Sequence, residues 1–295
     1  MGGGEAKAAA CNYGEMPLPH RRTGFLDHDG ETLFYEVVGG AEASHLPLVL
    51  SHGAGGNHAI WFQQVAPFAA DRTVVTWDHR GFGRSSDRAA RSGPEVAAGD
   101  LLALCDHLGI GRADLVAQSM GGWTVVGAAL QRPSLARSLV LADTPAGFTS
   151  PAITEALAGA RREAVLEAWK GDVLGEHPAL DRSFPLTYPE LAHLYQSLGR
   201  MGSPDLTAIM PRLGATHHDE RDAARLTMPV LCIVGEHDAL VAPAAVAAVA
   251  ALLPNARVVV IPGCGHSPYF EDPETWNDAV RSFLDDVAAA DGVHV

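Results

Sequence analysis

Leu115-Val116-Ala117-Gln118-Ser119-Met120-Gly121-Gly122 is the stretch that decides the reading of this chain. A short apolar run ends on a serine, small residues follow, and a helical pattern then runs toward Pro133. A serine on so sharp a strand-to-helix turn is held in a strained backbone conformation with its hydroxyl exposed, and the flanking positions must be small for strand and helix to approach. Those outer positions are Ala117 and Gly121. The usual pattern has glycine at both. Ala117 departs from it by one methyl group, which such an elbow accommodates because alanine adds little bulk. Ser119 is the candidate nucleophile.

Outward from this turn, strands and helices alternate. Thr23 to Val38 reads as two antiparallel strands around Asp29-Gly30. His45 to Leu50 and Arg72 to Trp77 read as buried strands, followed by helices at Ala59 to Ala69 and about Pro94 to Leu108. Beyond the elbow, Ser138 to Ala142 supplies the next strand and ends at Asp143-Thr144-Pro145. From about Ala146 to Arg225 the rhythm gives way to helical, less regular sequence carrying Trp169, Phe184, Tyr188, Tyr195, Met201 and Met210. Strands return at Pro229 to Val234 and Ala256 to Ile261, around a helix at Pro243 to Leu253, and an amphipathic helix from Pro273 to about Ala288 closes the pattern. The alternation predicts an α/β fold with a mostly parallel sheet covered on both faces. Residues 1–21 are expected as a flexible leader, 22–145 and 226–295 as the core, and 146–225 as an inserted helical cap.

Composition sets the broad class. A chain of 295 residues with 47% hydrophobic content can bury a large core, enough for one big domain with an insertion. The net charge of −14 and the lack of any Lys/Arg cluster argue against nucleic acid and anionic membrane surfaces as partners. Cys11, Cys105, Cys232 and Cys264 are scattered without zinc-site spacing or disulfide density, so reduced thiols are expected. No apolar segment marks a secretory signal or membrane span, and a cytoplasmic enzyme is the default. His217-His218 lack a carboxylate or cysteine at ligand spacing; neither a metal nor a cofactor is expected.

A serine nucleophile needs three kinds of help. Acyl transfer requires donors aimed at the oxygen that becomes negative, and backbone amides serve: Met120 after the nucleophile, and Ala54 within His52-Gly53-Ala54-Gly55-Gly56. The base must be a histidine. His266 stands after the last strand, in Gly263-Cys264-Gly265-His266-Ser267-Pro268, a loop short and glycine-rich enough to swing the ring over the strand ends. An acid must then fix the tautomer of that imidazole. Asp238, in Gly235-Glu236-His237-Asp238, gives the chain order Ser, Asp, His; Asp143, also at a strand end, is the alternative acid.

Taken together, His52-Gly53, Asp78-x-Arg80-Gly81-x-Gly83-x-Ser85, Ala117-x-Ser119-x-Gly121-Gly122, Gly235-x-x-Asp238 and Gly265-His266 resemble the α/β-hydrolase superfamily, in its order, over residues 22 to 290. The resemblance implies an eight-stranded, mainly parallel sheet, a reaction at the strand carboxyl ends, and a helical cap between the sixth strand and the acid-bearing strand. It also implies that the Asp78-to-Ser85 segment is a shaped turn in which Arg80 and His79 have no catalytic part. The expected activity is hydrolysis of a carboxylic ester or lactone through an acyl-enzyme, on a small, partly apolar carbonyl substrate. Gln118, Trp123, Phe148, Trp169 and Tyr188 are the expected pocket residues. The alternative is carbon-carbon bond hydrolysis of a diketone-like ring-cleavage product. Such enzymes typically carry Asn before the serine and Trp after the histidine, whereas this chain has Gln118 and Ser267. A third reading is a non-catalytic ligand-binding protein on the same scaffold.

Overall fold

Asp29 and Gly30 both adopt positive φ, at 51° and 79°, which is what a two-residue hairpin turn needs to match the twist of its strands. That turn folds β1 (His20–His28) onto β2 (Glu31–Gly39), with Phe25 opposite Phe34 and Leu26 opposite Leu33. The computed structural model describes residues 18–39, 43–159 and 173–292. β1 begins three residues before the expected Thr23, inside the stretch expected as leader; the rest of that leader lies outside the described residues. His20, Arg21 and Arg22 pair with Gly39, Val38 and Val37 through backbone groups while their own side chains stay exposed, so no apolar alternation marks them.

The remaining strands are β3 (Leu48–Ser51), β4 (Val74–Trp77), β5 (Ala113–Gln118), β6 (Ala136–Ala142), β7 (Val230–Gly235) and β8 (Ala256–Ile261). They form one eight-stranded sheet in the order β1-β2-β4-β3-β5-β6-β7-β8, antiparallel where β2 meets its neighbours and parallel from β4 to β8. Helices α1 (Phe62–Ala69), α2 (Pro94–Leu108) and α3 (Gly121–Gln131) precede β6. The described residues between β6 and β7 include α4 (Pro151–Gly159), α5 (Phe184–Thr187), α6 (Pro189–Gly199), α7 (Leu206–Ala215) and α8 (Glu220–Arg225). After β7 come α9 (Pro243–Leu252), α10 (Pro268–Glu271) and α11 (Pro273–Ala290).

Strands buried on both faces explain the continuous apolar runs. Leu115 and Ala117 of β5 join a core with Leu101, Val125 and Val246, on the side of α2, α3 and α9. Val116 points the other way, into a second core with Trp61, Phe68, Trp276 and Phe283 beside α1 and α11. β6 and β7 alternate in the same way, with Leu139 and Cys232 in the first core and Val140 and Leu231 in the second. Each such side chain taken fully out of water contributes roughly 1.5–3 kcal/mol. Arg80, fully inside, donates twice to Asp100 (3.1 and 2.6 Å), so the turn after β4 is held by a forked ion pair.

The helical insertion is tied to the first turns of α2 and α3 and to the loop after β3. Trp123 Nε1 donates to the Thr216 carbonyl (3.1 Å), Asn57 Nδ2 to the Leu198 carbonyl (2.8 Å), and Arg212 forks onto Glu95 (2.9 and 2.8 Å). The insertion therefore lies over the ends of β3 and β5, where Ser119 stands.

Candidate active site

Ser119 sits between β5 and α3 with φ +48°, a left-handed conformation that a residue bearing a side chain adopts only at a cost of about 1–3 kcal/mol. The surroundings impose it. The Ser119 N–H donates to the Ala142 carbonyl (2.9 Å), and its carbonyl accepts from Thr144 Oγ1 (2.7 Å) and Gly122 N–H (2.9 Å). Gly121 must be glycine because a Cβ there would stand 2.3 Å from the Ser51 carbonyl oxygen. Ala117 is wholly buried within β5.

His266 follows β8 and is 5% exposed. Its Nδ1 lies 2.8 Å from Asp238 Oδ2, and its carbonyl accepts from Gln118 Nε2 at 2.9 Å, so the residue before the serine anchors the backbone of the histidine. The other oxygen of Asp238 accepts from Leu240 N–H (2.8 Å) and Val241 N–H (2.9 Å). Both carboxylate oxygens are thus engaged, and Nδ1 carries the proton given to Asp238.

Asp143, at the end of β6, is fully buried with φ +52°. Its Oδ1 accepts from Gly235 N–H (3.0 Å), and no donor among the described residues reaches Oδ2. Loss of water, then the neighbouring charge of Asp238, hold its carboxyl well above the usual carboxylate range. The His266 ring meets Asp238, and Asp143 stands beside that carboxylate rather than at the ring. Asp143, Asp238 and His266 each bring one ligand-type atom within 4.8 Å of the others. Within this group the Asp238 oxygen faces the His266 Nδ1 at 2.8 Å.

Met120 is the N-cap of α3, where backbone N–H groups have no intrahelical acceptor. Ala54 lies in the turn after β3. His52 shapes that turn: Nδ1 donates to the Gly53 carbonyl (2.8 Å) and Nε2 accepts from His79 N–H (3.1 Å). Burial pushes its pKa down to about 4, so it stays neutral.

Ser119, Met120 and His266 open onto an inner cavity of about 260 Å³. Gln118, Trp123 and Phe148, expected at the pocket, line it. Tyr188 does not: it packs on Phe184 at a ring distance of 5.4 Å and is 39% exposed, because the short α5 turns it to the outer side of the insertion. Trp169 lies outside the described residues. Ile153, Leu157, Leu213 and Leu240 complete the apolar wall, and the sequence gives them no mark beyond helical spacing. A wider cavity of about 710 Å³ lies alongside, with Glu176, Gln196, Arg200, Ser203 and Asp205 on its walls. Ala54, Gln118, His177, Tyr195 and Met210 border both. Of the insertion's arginines, Arg212 is committed to Glu95, while Arg161 and Arg162 lie outside the described residues.

The serine elbow, the histidine after β8 and the sheet order define an α/β hydrolase, and the family model described as the alpha/beta hydrolase fold matches residues 47–273. The chain belongs to this family and is an enzyme, a hydrolase, which sets aside the non-catalytic reading. It is 30% identical over 268 residues to a putative carbamate hydrolase RutD of Pseudomonas savastanoi pv. phaseolicola (strain 1448A / Race 6), covering 85% of this chain and 98% of that one. Among solved structures it is similar to a thermophilic esterase from Thermogutta terrifontis, with 29% identity, TM-score 0.72, and 91% and 99% of the two chains covered. It is similar also to the enol-lactonase from Burkholderia xenovorans LB400, with 25% identity, TM-score 0.71, and 89% and 100% covered.

Proposed function

We propose that the protein is a serine hydrolase that cleaves a small, partly apolar carboxylic ester or lactone through an acyl-enzyme on Ser119. The observation that carries this reading is the strained Ser119 opening onto the same cavity as His266, whose Nδ1 is fixed by Asp238 at 2.8 Å. His266 Nε2 takes the Ser119 proton as the oxygen attacks the carbonyl carbon. The Met120 and Ala54 amides receive the resulting oxyanion, and Asp238 stabilises the imidazolium. His266 then protonates the leaving alkoxide. Water deprotonated by the same ring attacks the acyl carbon and regenerates Ser119. Every step uses protein groups and water alone. The insertion, 146–225, acts as a cap whose apolar wall excludes water and strengthens these dipoles.

Among the described residues no helix is long and apolar enough to cross a membrane, and Cys105, Cys232 and Cys264 are buried free thiols, which supports a cytoplasmic setting. The similarity to an esterase and an enol-lactonase supports the ester or lactone class. A second reading, carbamate hydrolysis, is favoured by the similarity to putative carbamate hydrolases. There the carbonyl lies between an oxygen and a nitrogen, and whichever of the two groups leaves takes the same proton from His266.

A fluorophosphonate probe should label Ser119 and fail to label Ser119→Ala. Purified protein should turn over short-chain aryl esters or lactones in preference to carbamates and to a vinylogous diketone acid. Preference for the carbamate or the diketone acid by about a hundredfold or more in kcat/KM would replace the ester reading with the matching alternative.

A further inference from the structure

Glu271 closes the short helix that follows His266, and three backbone N–H groups converge on its carboxylate. Oε1 accepts from Gly265 (3.0 Å) and Ser267 (3.3 Å), the two residues that flank His266. Oε2 accepts from the Asp181 N–H (2.7 Å), which belongs to the insertion. The two segments are in direct backbone contact here: a Cβ at Gly265 would stand 2.5 Å from the Asp181 nitrogen and 2.7 Å from the Leu180 carbonyl carbon. A second tie runs alongside, with the Tyr195 hydroxyl 2.7 Å from Ser267 Oγ.

We propose that Glu271 is a positioning residue that sets the orientation of His266 and the seating of the insertion with a single carboxylate. The inference rests on His266 being the base of the proposed hydrolase. Its two oxygens have separable duties. Oε1 fixes the main chain on either side of the imidazole, while Oε2 holds the insertion against that loop and so fixes the wall that carries His177 and Tyr195. Protonation of Oε2 would set one donor against another and release Asp181 while leaving the Oε1 clamp in place.

The groups facing this carboxylate are Asp181 and Tyr195 from the insertion, Asp143 from the end of β6, and Cys264 from its own loop. His237, after β7, touches it through Asp181, whose Oδ2 lies 2.8 Å from His237 Nδ1. Burial pushes the Glu271 carboxyl up to about 7, against the three N–H donors that favour its charged form. The tie to Asp181 is therefore complete above neutral pH and weakens below it.

Glu271→Gln retains an acceptor for Gly265 and Ser267 and turns an amide donor toward Asp181, whereas Glu271→Ala removes both ties. With purified full-length protein and an ester that it hydrolyses, Glu271→Gln should raise KM about fivefold to tenfold with kcat little changed. It should also abolish the rise in KM that wild type shows on acidification through neutrality. Glu271→Ala should in addition lower kcat about tenfold to a hundredfold, the scale of a misplaced catalytic group. Fluorophosphonate labelling of Ser119 in both variants, with thermal unfolding curves, reports whether they remain folded. Unchanged kcat, KM and pH profiles in labelled variants would overturn the inference, as would a parallel fall of both parameters with the wild-type pH profile retained. An unlabelled Ser119 in wild type, with an active Ser119→Ala, would defeat the serine-hydrolase reading instead.

Discussion

β6 and β7 are parallel neighbours, and the chain leaves each of them through an aspartate, Asp143 directly after the strand and Asp238 three residues beyond it. The same side chain meets opposite fates at the two ends. Asp238 accepts two backbone N–H groups and faces the His266 ring, a set of partners that suits a carboxylate. Asp143 receives one N–H and lies against the charge of Asp238, which together with its burial raises its carboxyl above the usual carboxylate range. In the proposed mechanism, the carboxyl that gathers more donors, Asp238, steadies the imidazolium, although both aspartates stand at strand ends.

The sharpest way to break this comparison is to disable each aspartate in turn. Asp238→Asn leaves the shape intact but offers the imidazole an amide in place of a charge, and kcat should fall by roughly three to four orders of magnitude. Steady-state rates on a good ester substrate read this directly. If Asp143→Asn were instead the damaging change, the acid role would belong to β6.

A smaller effect is expected at the end of β5, which links the serine to the histidine. Gln118→Ala removes the 2.9 Å bond to the His266 carbonyl, and kcat/KM should drop about tenfold, with the loss mainly in kcat. A change in KM alone would make Gln118 only a wall of the pocket.

The smallest kinetic effect, within about threefold of wild type, belongs to Asp143→Asn, since asparagine reproduces the acceptor for Gly235. Its signature lies in stability. Asp143 has a native pKa raised above its unfolded value, so the native state holds a proton that the unfolded chain releases above about pH 4. Wild type must therefore lose stability from this group as pH rises, and Asp143→Asn should not. Denaturant unfolding at about pH 5 and about pH 8 should show the variant gaining on wild type, by at most about 1.4 kcal/mol per pH unit. A difference independent of pH would mean that Asp143 is ionised in the native state.

Much of this molecule is legible in its sequence. Asp29-Gly30 marks its hairpin, the alternation of apolar runs and helices marks the layers, and the small residues around Ser119 mark the elbow, because turn chemistry and side-chain periodicity act over a few residues. His20 to Arg22 escaped, since a strand paired through backbone groups with its side chains in water carries no apolar signal. The packing direction of Tyr188, the roles of Leu213 and Leu240 in the pocket wall, and the meeting of Glu271 with Asp181 were equally out of reach.

The sequence by itself determined the fold class, the serine, the histidine and two candidate acids. Only the tertiary structure placed Asp238 against the His266 ring and brought Glu271 to the loop that carries it. Those placements depend on groups far apart in the chain: the His266 ring meets Asp238 from 28 residues away, Gly235 N–H meets Asp143 from 92 and Asp181 N–H meets Glu271 from 90. A linear pattern names the titratable groups, but the charge each one holds is a property of the space that folding builds around it.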